Sequence, residues 1–62
     1  MDINEYKATL QSMTDQELQA EECDLVETLT LIVYQGDRYT TRWHEADDKW
    51  LCVVKALKER GI

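Results

Sequence analysis

The chain has 62 residues, a net charge of −6 and no proline, and 44% of its residues are hydrophobic. This length allows one domain and is too short to bury a large core, so an isolated copy should be only marginally stable. Two cysteines do not form a disulfide framework, and the negative charge disfavours direct binding to DNA or RNA phosphates. No stretch is apolar enough to span a membrane and no leader peptide is evident, so we expect a cytoplasmic protein.

The first predicted element is a short amphipathic helix over residues 3–13. Its apolar residues recur at steps of three, four and three from Ile3 to Met13, which places them on one side of a helix. Asp2 precedes this segment and is a candidate for its N-cap.

The second predicted helix covers residues 15–34. Thr14 and Glu17 match a capping box, in which each side chain bonds to the backbone amide of the other residue. Gly36 is suited to end the helix because it readily adopts the left-handed conformation. Glu22 interrupts the apolar stripe of this helix, and we expect it either to meet Lys49 or Lys55 or to set register or oligomeric state.

The third predicted helix covers residues 38–60, with Asp37 as its N-cap and Gly61 at its end. An unbroken apolar repeat with steps of four and three runs from Tyr39 to Leu57 and includes both tryptophans of the chain. Such a repeat places its members on one stripe of a single helix, so this segment must be buried against another element.

A β-hairpin is the rival interpretation of the middle of the chain. Residues 28–34 and 38–43 are rich in β-branched and aromatic residues, and a Gly-Asp pair lies between them. Because the apolar repeat begins inside the second of these supposed strands, we favour helices. We predict an all-α fold in which a short N-terminal helix precedes an antiparallel helical hairpin.

Residues 50–57 are apolar nearly all round, with Lys55 as the one polar member, and a single neighbouring helix cannot cover such a segment. We therefore predict that the hairpin dimerises into a helical bundle. The residues expected in the core or the dimer interface are Tyr39, Trp43, Trp50, Leu51, Val53, Val54 and Leu57.

Few residues suggest catalytic chemistry. His44 begins a His-Glu-x-x segment, but Asp48 stands where a zinc protease has its second His, so no metal site is predicted. Cys23 and Cys52 are expected to be small buried hydrophobes, with a redox switch or an inter-subunit bridge as alternatives. No nucleophilic or phosphate-binding motif occurs, and we predict a non-enzymatic protein without a cofactor.

The charges are distributed unevenly along the chain. Residues 1–37 hold nine acids and one base, whereas residues 38–62 hold six bases and four acids, so the two halves should attract each other. The acidic face at the start of the second helix is either solvated or binds a partner, as in inhibitors that mimic DNA phosphates. Its members are Glu17, Glu21, Glu22 and Asp24.

Three parts of the chain resemble a known group of proteins. They are the capped start TDQEL (Thr14–Leu18), the acidic second helix and the ending VVKALKERGI (Val53–Ile62). In size, helical organisation and charge, the chain resembles the small helical accessory proteins of the early exo–xis region of lambda-like temperate bacteriophages. The resemblance implies a non-enzymatic regulator that binds a host protein in the host cytoplasm and influences host physiology or the lysis–lysogeny choice. An acidic DNA mimic that inhibits a nucleic-acid-binding protein, or a structural partner in a larger complex, is the alternative.

Overall fold

A computed structural model describes residues 3–62 as three α-helices: α1 (Ile3–Gln11), α2 (Asp15–Tyr34) and α3 (Thr41–Arg60). No strand occurs among these residues, so the all-α prediction is confirmed and the β-hairpin alternative is wrong. The N-cap predicted at Asp2 lies outside the described residues. No helix in residues 3–62 is long and apolar enough to cross a membrane.

The helix α2 begins and ends at the residues predicted. The Thr14 hydroxyl accepts a hydrogen bond from the Glu17 amide at 3.1 Å, and the Glu17 carboxylate accepts one from the Thr14 amide at 2.9 Å. At the other end Gly36 has a φ of 83°, and the amides of Gly36 and of the next residue donate to carbonyls of α2 at 3.0 Å. This is a Schellman motif, so local sequence sets both ends of α2.

The helix α3 begins three residues later than predicted. Its N-cap is Thr40, which accepts from the Trp43 amide at 3.4 Å, and the prediction of Asp37 as the cap is wrong. The Asp37 amide already belongs to the motif that ends α2, so the chain needs further residues to reverse its direction. Tyr39 lies in this loop with a φ of 67°, a conformation that residues other than glycine rarely adopt. Gly61 ends α3 as predicted, with a φ of 75°.

The first helix is slightly shorter than the predicted span of residues 3–13. It ends at Gln11, because the amides of Ser12 and Met13 bond to carbonyls three residues back and start a turn. That turn brings the chain directly to the cap of α2.

The helices α2 and α3 form an antiparallel hairpin. Arg60 at the end of α3 forms a 2.9 Å ion pair with Asp15 at the start of α2, and Arg42 donates to Gln35 at 3.4 Å near the loop. The buried side chains of all three helices make up the core, and they are Tyr6, Leu10, Leu18, Leu25, Ile32, Ala46, Val53 and Leu57.

The Arg60 side chain also holds α1 to the hairpin. Its guanidinium donates to the carbonyls of Leu10 and Gln11, at 3.3 Å each, in addition to its contact with Asp15. These carbonyls belong to the last turn of α1, and the carbonyl of Leu10 also accepts from the Met13 amide at 3.2 Å. One side chain therefore connects the start of α2 and the ends of α1 and α3.

Candidate functional site

The α2–α3 hairpin has two sides, and α1 packs on one of them, which we call the covered side. There the Tyr6 hydroxyl donates to the Glu21 carboxylate at 3.2 Å, and the Lys49 ammonium lies 5.7 Å from the centroid of the Tyr6 ring. Cys52 and Ala56 pack against the core cluster on the same side. On the covered side α1 thus gives the Tyr6 hydroxyl an acceptor and helps to cover Cys52 and Ala56.

The other side of the hairpin faces away from α1, and we call it the open face. Side chains advance about 100° per residue around a helix. In two antiparallel helices, the residues that directly follow the core residues in sequence therefore point to the same side of the hairpin. Six of its members are half-buried, and the two valines of α2 are exposed at 43% and 42%. The members follow steps of four, three and four: Glu22, Val26, Leu29 and Val33 on α2, and Trp43, Asp47, Trp50 and Val54 on α3.

Three polar groups of the open face lack partners within residues 3–62. The Trp50 Nε1 atom is buried and donates no hydrogen bond. Glu22 and Asp47 are half-buried residues, and their carboxylates form neither a hydrogen bond nor an ion pair within residues 3–62. A buried donor without an acceptor typically costs about 1–3 kcal/mol. The open face therefore combines apolar surface with two carboxylates that have no protein partner, and the unpaired Trp50 donor is buried within it.

A second apolar surface lies on the outer side of α2, close to the loop, and we call it the outer patch. Leu31 is 51% exposed and Tyr34 is 89% exposed. Together with Val26, Glu27 and Thr30 they line a shallow depression. Glu27 is the one charged residue of the outer patch, and Val26 lies on its border with the open face.

Most of the predicted core or interface residues fall in the core or on the open face. Val53 and Leu57 are buried within the single chain by contacts with α1 and α2. Trp43, Trp50 and Val54 are half-buried members of the open face. One chain therefore covers more of this stripe than the sequence pattern suggested, because α1 adds a second neighbour to α3.

Leu51 and Tyr39 lie apart from the open face. Leu51 is 53% exposed and lines a groove between α1 and α3, on the covered side. Tyr39 is 61% exposed in the loop, where its ring makes an edge-on contact with Trp43 at 5.0 Å and lies under the Arg38 guanidinium. Tyr39 thus extends the aromatic end of the open face from outside α3.

The four residues of the predicted acidic face do not form one surface. Glu17 is used in the capping box and Glu21 accepts the Tyr6 hydroxyl on the covered side. Glu22 points to the open face, about 100° around the helix from Glu21. Asp24 is exposed next to the outer patch. Of the four, Asp24 is the one that is both exposed and free to meet a partner.

Two of these contacts change the affinity of a side chain for protons. Burial raises the pKa of the Tyr6 hydroxyl, and the negative charge of Glu21 and the hydrogen bond to it raise the pKa further. The hydrogen bonds from Thr14 lower the pKa of Glu17, because they stabilise its charged form. Both shifts follow from contacts that position helices.

The residues with catalytic or metal-binding chemistry are dispersed. His44 is exposed, with its ring edge-on to Trp43 at 5.1 Å. Cys52 is half-buried, but Cys23 is exposed, so the prediction of two buried cysteines is wrong for Cys23. Within residues 3–62, no three His, Cys, Asp or Glu side chains are grouped so that they could hold a metal ion.

Sequence reasoning missed Asp47 and Leu31. The steps of four, three and four that join Trp43, Asp47, Trp50 and Val54 can be read from the sequence. The prediction used the overlapping apolar repeat from Tyr39 to Leu57, which does not include Asp47. Comparisons with protein-family models, curated proteins and solved structures found no match. Any functional proposal therefore depends on the surfaces of this chain.

Proposed function

We propose that the chain is a non-enzymatic protein-interaction module that acts as a homodimer and binds a host protein through the outer patch. The observation that carries this proposal is the presence of two adjoining apolar surfaces, which share Val26, on so small a domain. Contiguous exposed apolar surface typically marks an interaction site. A two-fold dimer can bury the open faces of both copies, including Val26, and leave Leu31 and Tyr34 of the outer patch available to a different protein.

The chemistry of the outer patch defines the partner that it fits. Leu31 and Tyr34 supply an apolar centre, and exposed Tyr side chains often anchor protein interfaces. Asp24 and Glu27 lie beside this centre and are both exposed. The complementary surface has an apolar centre with basic residues at its rim. The resemblance to phage accessory proteins supports a bacterial host protein as the partner, with host physiology or the lysis–lysogeny choice as the process affected.

An acidic DNA mimic is the alternative function, and the geometry favours it less. Such a mimic presents spaced carboxylates on one continuous surface. Here Glu21 bonds to Tyr6, Asp15 pairs with Arg60, and Glu22 faces another side. Binding by a mimic depends on charge pairs and is lost at high salt, whereas apolar binding persists.

The test compares three versions of the chain as bait in a nuclease-treated bacterial lysate, at low and high salt. Leu31→Glu changes the outer patch, and Leu51→Glu is the matched control, because the two leucines are exposed at 51% and 53% on different sides. We expect a protein that the wild type and Leu51→Glu retain at both salt concentrations and that Leu31→Glu does not retain. Calorimetry with that protein, purified, then measures direct binding.

Other results would reject the proposal. Equal capture by Leu31→Glu and the wild type would mean that the outer patch does not bind the partner. Capture of a nucleic-acid-binding protein that is released at high salt would support the mimic instead. Circular dichroism of each variant confirms that the helices are intact before the captures are compared.

A further inference from the structure

We infer that the groove between α1 and α3, on the covered side, binds a small amphiphilic anion, an alkyl chain that carries a carboxylate. This inference goes beyond the proposed function and depends neither on the homodimer nor on the outer patch. The groove has a volume of about 300 Å³, at the lower end of the range for small-molecule sites.

The groove forms because α1 lies alongside the second half of α3. Tyr6 lies beside Lys49, and the end of α1 accepts hydrogen bonds from Arg60, so the two helices run in the same direction. The helix α1 has nine residues and is about 13 Å long. A groove of that length is too short for a protein interface of standard size, which favours a small molecule as the occupant.

The floor of the groove and part of its α3 wall are apolar. Leu10 is buried, and Cys52 and Ala56 are half-buried beside it. Leu51 is exposed on the α3 wall. An alkyl chain in the groove covers these side chains and removes apolar surface from water.

Two lysines from different helices determine the charge that the groove accepts. Lys7 belongs to α1 and Lys55 to α3, and both line the groove. Both are exposed, and neither forms an ion pair or a hydrogen bond within residues 3–62. Lys7 is also the one basic residue among residues 1–37 of a chain whose net charge is −6. A carboxylate between the two walls pairs with both ammonium groups, while the lysine stems pack along the alkyl chain.

The acidic residue of the groove, Glu59, sets the direction of the ligand. It lines the groove one helical turn after Lys55, and the two side chains form no ion pair with each other. Because like charges repel, the carboxylate of the ligand lies at the lysines and away from Glu59.

The test titrates the isotopically labelled full chain with hexanoate, octanoate and decanoate, below their micelle concentrations, and follows the amides by NMR. We expect saturable shifts that are centred on residues 7–11 and 51–59. Each methylene that enters the groove should increase the affinity by about fourfold. Octylammonium has the same chain as octanoate and the opposite charge, and it should bind more weakly even though the net charge of the protein favours a cation.

Substitutions then test the charges of the groove one at a time. Lys7→Gln and Lys55→Gln should each weaken decanoate binding by about 2- to 5-fold. Lys58→Gln is the matched control, because Lys58 is an exposed lysine of α3 outside the groove and its loss changes the net charge equally. Glu59→Gln should strengthen binding by about 2-fold. Circular dichroism confirms that each variant keeps its helices.

Cys52 supplies a second readout of the position of the ligand. In a Cys23→Ser background, which removes the exposed thiol, decanoate should slow the reaction of Cys52 with an uncharged maleimide. An unchanged rate at saturating decanoate would place the ligand outside the groove and overturn the inference.

Other outcomes would also overturn it: no saturable shift, tighter binding of octylammonium than of octanoate, or equal losses from Lys55→Gln and Lys58→Gln. The proposed function fails or holds separately. Leu31→Glu should bind decanoate as the wild type does while losing the captured protein, and Leu51→Glu should do the reverse.

Discussion

The two sides of the hairpin contain similar residues but use them differently. On the covered side Tyr6 is buried and its hydroxyl bonds to Glu21, and Arg60 closes the turn beyond it. On the open face Trp50 is partly buried and its indole N–H bonds to nothing within residues 3–62. The comparison shows what the short helix α1 contributes, since it supplies apolar cover and hydrogen-bond partners together. A face that has apolar side chains but lacks such partners is incomplete.

The largest expected effect is on the covered side, at Leu10. This side chain is 2% exposed, so Leu10→Ala should leave a cavity and destabilise the fold by about 2–5 kcal/mol. Leu31→Ala is the control, because a leucine that is 51% exposed should change the stability by about 0.5 kcal/mol or less. Urea unfolding followed by circular dichroism measures both. Similar losses from the two variants would mean that α1 does not pack as described.

A smaller effect is expected at Arg60, which fastens the covered side. Arg60→Ala removes the ion pair with Asp15 and both bonds to the carbonyls at the end of α1, and should cost about 1–2 kcal/mol. Asp15→Asn removes the ion pair alone and should cost about 0.2–1 kcal/mol, since the pair is solvent-exposed. Thermal unfolding of the two variants distinguishes the contributions. Equal losses would assign the role of Arg60 to the ion pair.

The Tyr6 hydroxyl gives the covered side a dependence on alkaline pH. Tyr6→Phe leaves Glu21 without this donor and should cost about 0.5–1.5 kcal/mol at neutral pH. Because the folded state raises the pKa of Tyr6, its contribution is complete below the unfolded value of about 10 and declines as the pH rises above it. Unfolding measured from pH 8 to 11 should therefore show a steeper alkaline loss in the wild type than in Tyr6→Phe. Tyr34→Phe, at an exposed position, should retain the steep loss.

The smallest changes in stability are expected at two adjacent glutamates, Glu21 and Glu22. Glu22→Leu removes an unpaired carboxylate from the open face and should stabilise the fold by about 0.5–1 kcal/mol. Glu21→Leu removes the acceptor of the Tyr6 hydroxyl on the covered side and should destabilise it by a similar amount. Chemical unfolding at low micromolar concentration limits any contribution from association. The same sign for both variants would contradict the distinction between the two sides.

The sequence predicted the helices well wherever a boundary depends on neighbouring residues. Thr14, Glu17 and Gly36 set the ends of α2 through contacts within a few residues, and a sequence pattern contains such contacts. The start of α3 was predicted too early because Asp37 and Thr40 are both good caps. The choice between them depends on the Schellman motif of the preceding helix.

The sides of the hairpin were harder to predict, because they depend on where α1 docks. Glu21 and Glu22 are adjacent and chemically identical, yet one faces α1 and the other faces away from it. The apolar run around Leu51 likewise does not indicate which of its members a neighbouring helix covers. The docking position of α1 is set by contacts as distant in sequence as Tyr6 with Glu21 and Arg60 with Leu10, and a periodic pattern along one helix does not contain them.

Both long helices begin at a threonine cap and end in the same type of left-handed turn. The limits of both helices therefore depend on contacts within a few residues, and most contacts of the hairpin are local. Helical domains with local contacts fold in microseconds to milliseconds. At the nanomolar to micromolar concentrations of a newly synthesised protein, two folded copies meet far more slowly than this. In the proposed homodimer, association of the folded hairpins would therefore be the slow step, and its rate would depend on the protein concentration.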